Sequence, residues 1–180
     1  MNIIKFLLSS FALLLSITLI SSKSQAASYG TIDTEKVIKE AKAVIHIQKV
    51  INQKQIEFQE IITKKEEELK KEKDSLMTKK DLLSEDSLKS EEEKLQKKID
   101  DFRDFVLNKQ NILKESLQNS MKEVQQKIEQ SITKIAQQEK YSIIFPEGQL
   151  VYYEESLDIT DKVLESVNND IQKVEVKFDQ

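Results

Sequence analysis

Apolar residues between Val44 and Ile135 fall into two heptad-spaced series that mirror each other. Val44, Ile51 and Phe58 recur every seven residues, and after a four-residue step Ile62, Leu69, Leu76 and Leu83 do the same. Beyond the polar cluster Ser84-Glu85-Asp86-Ser87, the residues Leu88, Leu95 and Phe102 resume the spacing. Leu117, Met121, Val124, Ile128 and Ile135 then continue at three and four. Leu83 with Leu88, Leu76 with Leu95, Leu69 with Phe102, Phe58 with Leu113 and Ile47 with Val124 lie symmetrically about the Glu85–Asp86 bond. The mirror predicts an antiparallel helical hairpin over 44–140, an arm about 60 Å long at 1.5 Å rise per residue, with its tip near 84–87. No Gly or Pro occurs between Thr34 and Lys140, so an uninterrupted helical tract is expected, broken only at that Ser/Asp cluster.

The seam is uneven. Beyond Ile62 it thins to about one Leu per heptad, with Lys65, Glu72 and Lys79 where a coiled coil would place a second apolar residue. The distal arm is therefore expected to be loosely held, and the step from Phe58 to Ile62 is a stutter that locally unwinds the supercoil.

Both flanks change period. Tyr29-Gly30-Thr31-Ile32-Asp33 reads as a short strand with Thr34 as helix N-cap, and Tyr141-Ser142-Ile143-Ile144-Phe145 as another. After the turn Pro146-Glu147-Gly148, Gln149-Leu150-Val151-Tyr152-Tyr153 reads as a third strand, making a hairpin. Thr160 is expected to cap a helix with the stripe Val163, Leu164, Val167 and Ile171, and 174–178 is a further short strand or a frayed end. The fold class is α+β: a small β-rich body from 27–43 with 141–180, and a long helical-hairpin arm. So small a body has little core of its own, which points to oligomerisation. Ile32, Tyr141, Ile143, Phe145, Val151 and Tyr153 are the candidates for body or oligomer interface. Aromatics on short strands serve core or interface more often than a peptide-binding face. Phe58, Leu69, Leu76, Leu83, Leu88, Leu95, Phe102 and Leu113 are the candidate arm seam.

Ahead of the body, Lys5 precedes an uncharged apolar run from Phe6 to Ile20, and Ser24 and Ala26 stand where a signal peptidase reads. The run is short for a membrane span, which needs roughly 20 residues, so 1–26 is read as a signal peptide cleaved before Ala27. An uncleaved anchor is the alternative.

Composition narrows function chiefly by exclusion. The chain has 180 residues, 33% of them charged, with no Cys, no Trp and one His. His46 has no second His or Cys to work with, and Glu66-Glu67-Glu68 and Glu91-Glu92-Glu93 point around their helix beside lysines, so no metal site is expected. No nucleophile elbow and no glycine-rich phosphate loop occurs, so neither catalysis nor a cofactor is expected. Without Lys5 and Lys23 the exported chain carries 26 basic and 32 acidic residues, net −6, and no basic patch for nucleic acid.

The order of leader, short strand with Asp33, helical hairpin, Tyr141–Phe145, turn, Gln149–Tyr153 and Asp158-Ile159-Thr160-Asp161-Lys162-Val163-Leu164 resembles the Skp (OmpH-like) family of periplasmic chaperones. The resemblance covers essentially the whole exported chain, and its most specific part is the C-terminal Asp-Ile-Thr-Asp segment. It implies a homotrimer joined through its bodies, with three arms enclosing a cavity that holds unfolded outer-membrane proteins without ATP. Well-known members are strongly basic, whereas residues 64–98 here carry 11 basic and 11 acidic residues, so a lipopolysaccharide contact is not carried over. Client-contact residues are not assigned. The competing reading is an envelope adaptor that uses the hairpin as a spacer or docking rod, although a rod needs no β-rich ends.

Overall fold

The computed structural model describes residues 27–178; the leader read at 1–26 lies outside the described residues. Strand β1 (Ser28–Ile32) leads into helix α1 (Thr34–Glu40), and α2 (Lys42–Lys79) forms the rising limb of the arm. A single 3-10 turn at Lys80–Leu82 precedes the returning limb, α3 (Glu85–Glu139). Strand β2 (Tyr141–Pro146) and helix α4 (Thr160–Asp170) complete the body. At 1.5 Å per residue the 38 residues of α2 span about 57 Å.

Several expectations shift once side chains from distant elements are in place. The helical tract is interrupted at Ala41, whose φ of −60° and ψ of 126° end α1. The Lys42 N–H is accepted instead by the Asn168 side chain of α4 at 2.8 Å. That substitution removes the cost of the break, and it comes from 126 residues away. The turn falls at 80–84, just ahead of the expected cluster. Ser84 is the N-cap of α3, its Oγ accepting from Ser87 N, and Glu85 and Asp86 occupy the first helical turn, where the helix dipole favours them. Asp33, rather than Thr34, caps α1 by accepting from Lys36 N at 2.9 Å.

The expected hairpin of two C-terminal strands is not formed within the chain. β2 pairs in parallel with β1, with Gly30 opposite Ile144 and Thr31 opposite Phe145. Residues 147–149 make a 3-10 turn, and 150–154 belong to no strand. The pairing is physically reasonable because the whole arm serves as the crossover that parallel strands require.

The core occupies the body and the proximal arm. Ile32, Val37, Ile47, Ile51, Val124 and Ile128 are buried together with Ile159, Val163, Val167, Ile171 and Val174. Along α3 the buried positions Ile112, Ser116, Ser120, Val124, Ile128, Ser131 and Ile135 run at three and four. Three of these are serines, small enough to let other elements approach closely. Ser131 Oγ accepts from Ser166 Oγ of α4 at 3.1 Å. α3 ends at Lys140 in the left-handed conformation, φ 59°, so that β2 begins at the next residue.

Candidate functional site

Two regions leave interaction-capable groups unmet within one chain: the outer side of the body sheet and the distal arm. In the body, β1 is flanked by β2 on one side and by a bridge from Thr31 to Asp158 on the other. Among the described residues nothing pairs with the far edge of β2, so its unpaired backbone groups form a template for another strand. Ile143 and Phe145 on β2 are 48% and 38% exposed, and the Phe145 ring lies 6.3 Å from that of half-exposed Tyr29. Val151 and Tyr152 stand almost wholly in solvent. Ile32, by contrast, is only 3% exposed and belongs to the chain's own core, while Tyr141 and Tyr153 are half-buried.

The Asp158-Ile159-Thr160-Asp161 segment holds this body together, and each residue does so differently. Asp158 accepts from Thr160 N at 2.7 Å and orders the start of α4. Ile159 is buried, and its N–H donates to Thr31 O at 2.9 Å. Thr160 Oγ1 accepts from Asp33 N at 2.9 Å, so this hydroxyl stitches α4 to β1 instead of capping its own helix. Asp161 pairs with Lys36 of α1 at 2.8 Å, which raises the lysine pKa. At the end of α3, Glu139 pairs with Lys162 at 2.6 Å; that hydrogen bond lowers the carboxyl pKa and raises that of the lysine.

Along the arm, the candidate seam residues behave according to height. Phe58 is buried and Leu113 packs on the core cluster. Leu69, Leu76, Leu83, Leu88, Leu95 and Phe102 are all only half-buried. Near the tip the limbs leave a groove of about 770 Å³ lined by Leu76, Leu83 and Leu95 together with Lys79, Lys94 and Lys98. Glu72 and Lys98 bridge the limbs at 2.7 Å. Leu76 and Leu95 thus share one groove, as the mirror requires.

Between base and tip lies a connection the apolar periodicity does not reveal. Lys65 Nζ sits 5.1 Å from the Phe105 ring, and Lys109 Nζ sits 5.2 Å from Phe105 and 5.1 Å from Phe58. Lys54 Nζ is 5.3 Å from Phe58 and 5.6 Å from Phe178. Cations and rings alternate across both limbs where the seam changes phase. Each contact contributes roughly 0.5–1 kcal/mol at such exposure, with the lysine stems covering the rings. The usable signal was the four-residue spacing of Lys54 with Phe58 and of Phe105 with Lys109. No group of three or more potential metal ligands occurs among the described residues.

A family model, outer membrane protein (OmpH-like), matches residues 28–167. The chain belongs to the OmpH-like family. Its fold is also that of a solved OmpH-like protein from Caulobacter crescentus CB15, described as a candidate outer membrane chaperone, with a TM-score of 0.79 at 16% identity. The alignment covers 86% of this chain and 91% of that one. A comparison with curated proteins finds no match. The matched stretch contains the Asp158–Asp161 segment, whose hydrogen bonds join α4 to β1.

Proposed function

We propose that this OmpH-like protein is an ATP-independent periplasmic holdase that keeps unfolded outer-membrane β-barrel proteins from aggregating before insertion. The observation that carries the reading is the combination of an unpaired sheet edge at one end with a long, half-covered apolar seam at the other. The free edge of β2, with Ile143, Phe145, Val151 and Tyr152 exposed around it, supports association of bodies into a homotrimer. Residues 149–153, read as a strand from their composition, have no strand partner among the described residues. Three arms rising from one such hub enclose a space.

A client in that space meets many weak apolar contacts, and multivalency makes their sum useful while each remains easy to break. Holding the unfolded chain lowers the concentration free to aggregate, which requires no fuel. Barrel strands suit such a host because their apolar and polar residues alternate and leave them tractable in water. The balanced charge of the distal arm makes containment, rather than electrostatic attraction, the basis of capture. Among the described residues no helix is long and apolar enough to cross a membrane. Residues 1–26 are assigned to an export signal removed before Ala27.

The test is dilution of a urea-denatured porin into the mature protein at one trimer per porin. Suppressed light scattering from porin aggregates is expected, with static light scattering of the chaperone alone giving three protomer masses. Unchanged aggregation sinks the holdase reading and leaves the docking-rod alternative. A monomer removes the enclosed space.

A further inference from the structure

The segment after α4 lies beyond the stretch shared with the family model, which ends at residue 167. It nevertheless packs closely. Ile171 and Val174 are buried in the main core, and Val176 and Phe178 pack against it. The segment leaves α4 near Ser131, where Ser166 meets that serine, and reaches Ser116, whose Oγ donates to Lys177 O at 2.7 Å. Between those two serines α3 rises about 22 Å at 1.5 Å per residue, all toward the tip. The segment therefore climbs the arm.

At Phe178 the segment meets a change in the arm itself. Phe178 lies under Lys54, the same lysine that covers Phe58. In the mirrored register Lys54 and Ser116 stand at one level. Phe58 and Ile112 are the most distal buried apolar residues of α2 and α3 among those described, and every seam residue beyond them is half-exposed. The buried seam ends at the level of Phe178, and the stutter at Phe58–Ile62 follows directly.

We propose that residues 171–178 are a strap that sets the height at which the arm becomes free to bend. Up to the level of Phe178 the two limbs share one core with the strap and the body; above it, among the described residues, two helices share a thin seam. Phe178 is the last rung of the lysine–aromatic ladder and meets α2 through Lys54, while the neighbouring Lys177 carbonyl accepts from Ser116 of α3. Ser116, buried and small, gives the strap room to lie against α3. This mechanical role does not depend on the chaperone reading.

Hydrogen exchange of the full exported chain tests it, comparing the native sequence with Phe178→Ala, Phe178→Tyr and a deletion of 172–180. Phe178→Ala is expected to speed exchange about tenfold in 50–62 and 105–120, leaving peptides 28–40 and 160–168 unchanged. Phe178→Tyr keeps the ring and should restore native protection, and the deletion should extend the fast region down toward Val124. If Phe178→Ala leaves 50–62 and 105–120 as protected as in the native chain, the strap does not set the bend. Equal acceleration throughout the body and arm also overturns the proposal, because the segment then only contributes to global stability. Should the deletion unfold the body, Phe178→Ala against Phe178→Tyr decides.

Discussion

The base and the distal part of the arm are built from the same two helices, yet they are different materials. At the base, Ile47, Ile51, Val124 and Ile128 are buried among four other elements. Past Phe58 and Ile112 the limbs touch, among the described residues, only each other, through half-buried leucines, a lysine–aromatic contact and the Glu72–Lys98 bridge. Helix propensity is high in both parts, so the difference does not lie in the backbone. It lies in how much apolar surface each turn removes from water, since propensity alone stabilises long helices in water only marginally. For the proposed holdase, the soft region is the part of the wall that yields to clients and the hard one is the part that joins the arms.

Truncating side chains should expose this difference most strongly. Ile47→Ala removes a fully buried side chain and is expected to cost about 2–5 kcal/mol in chemical denaturation. Leu76→Ala, on the half-buried seam, is expected to cost no more than about 1 kcal/mol. Equal losses would mean that the two parts fold as one uniform rod.

A smaller effect of opposite sign is expected at the joint between α3 and β2. Lys140 holds a left-handed conformation that favours glycine. Lys140→Gly should relieve about 1 kcal/mol of strain and raise body stability, while leaving exchange in 65–100 unchanged. A gain spread along the whole arm would blur the boundary drawn here.

Acid should give the smallest effect. Glu139 has its pKa lowered by the hydrogen bond from Lys162, so its stabilisation is present above the unfolded carboxyl pKa and fades as pH falls through the lower folded value. Below about pH 4 the α3–α4 link should weaken in the native protein but not in Glu139→Gln. Glu91 is lowered in the same way by Lys94, but that pair lies on one limb, so its loss should not separate the limbs. Thermal unfolding followed across pH checks both statements.

The arm was legible in the sequence because a heptad mirror survives any surroundings. Leu76 and Leu95 do share a groove, and the thin distal seam is half-exposed as its composition implied. What escaped were features decided by distant partners. Nothing local at Ala41 signals a break, because the group that accepts the Lys42 N–H is Asn168. Thr160 looks like an ordinary cap until Asp33 arrives to donate to it. Residues 149–153 have the composition of a strand, but a strand needs a neighbour, and the described residues of one chain provide none for them. The ladder was hidden because lysine counts as polar in any periodicity, although its stem covers a ring.

Hydrogen exchange on the free chain from Ala27 onward tests the central distinction most directly. Amides of 43–58 and 112–135 are expected to exchange slowly, approaching the global unfolding limit. Those of 65–100 should exchange much faster through local opening, with the boundary near Phe58 and Ile112. Uniform protection from base to tip would contradict the account.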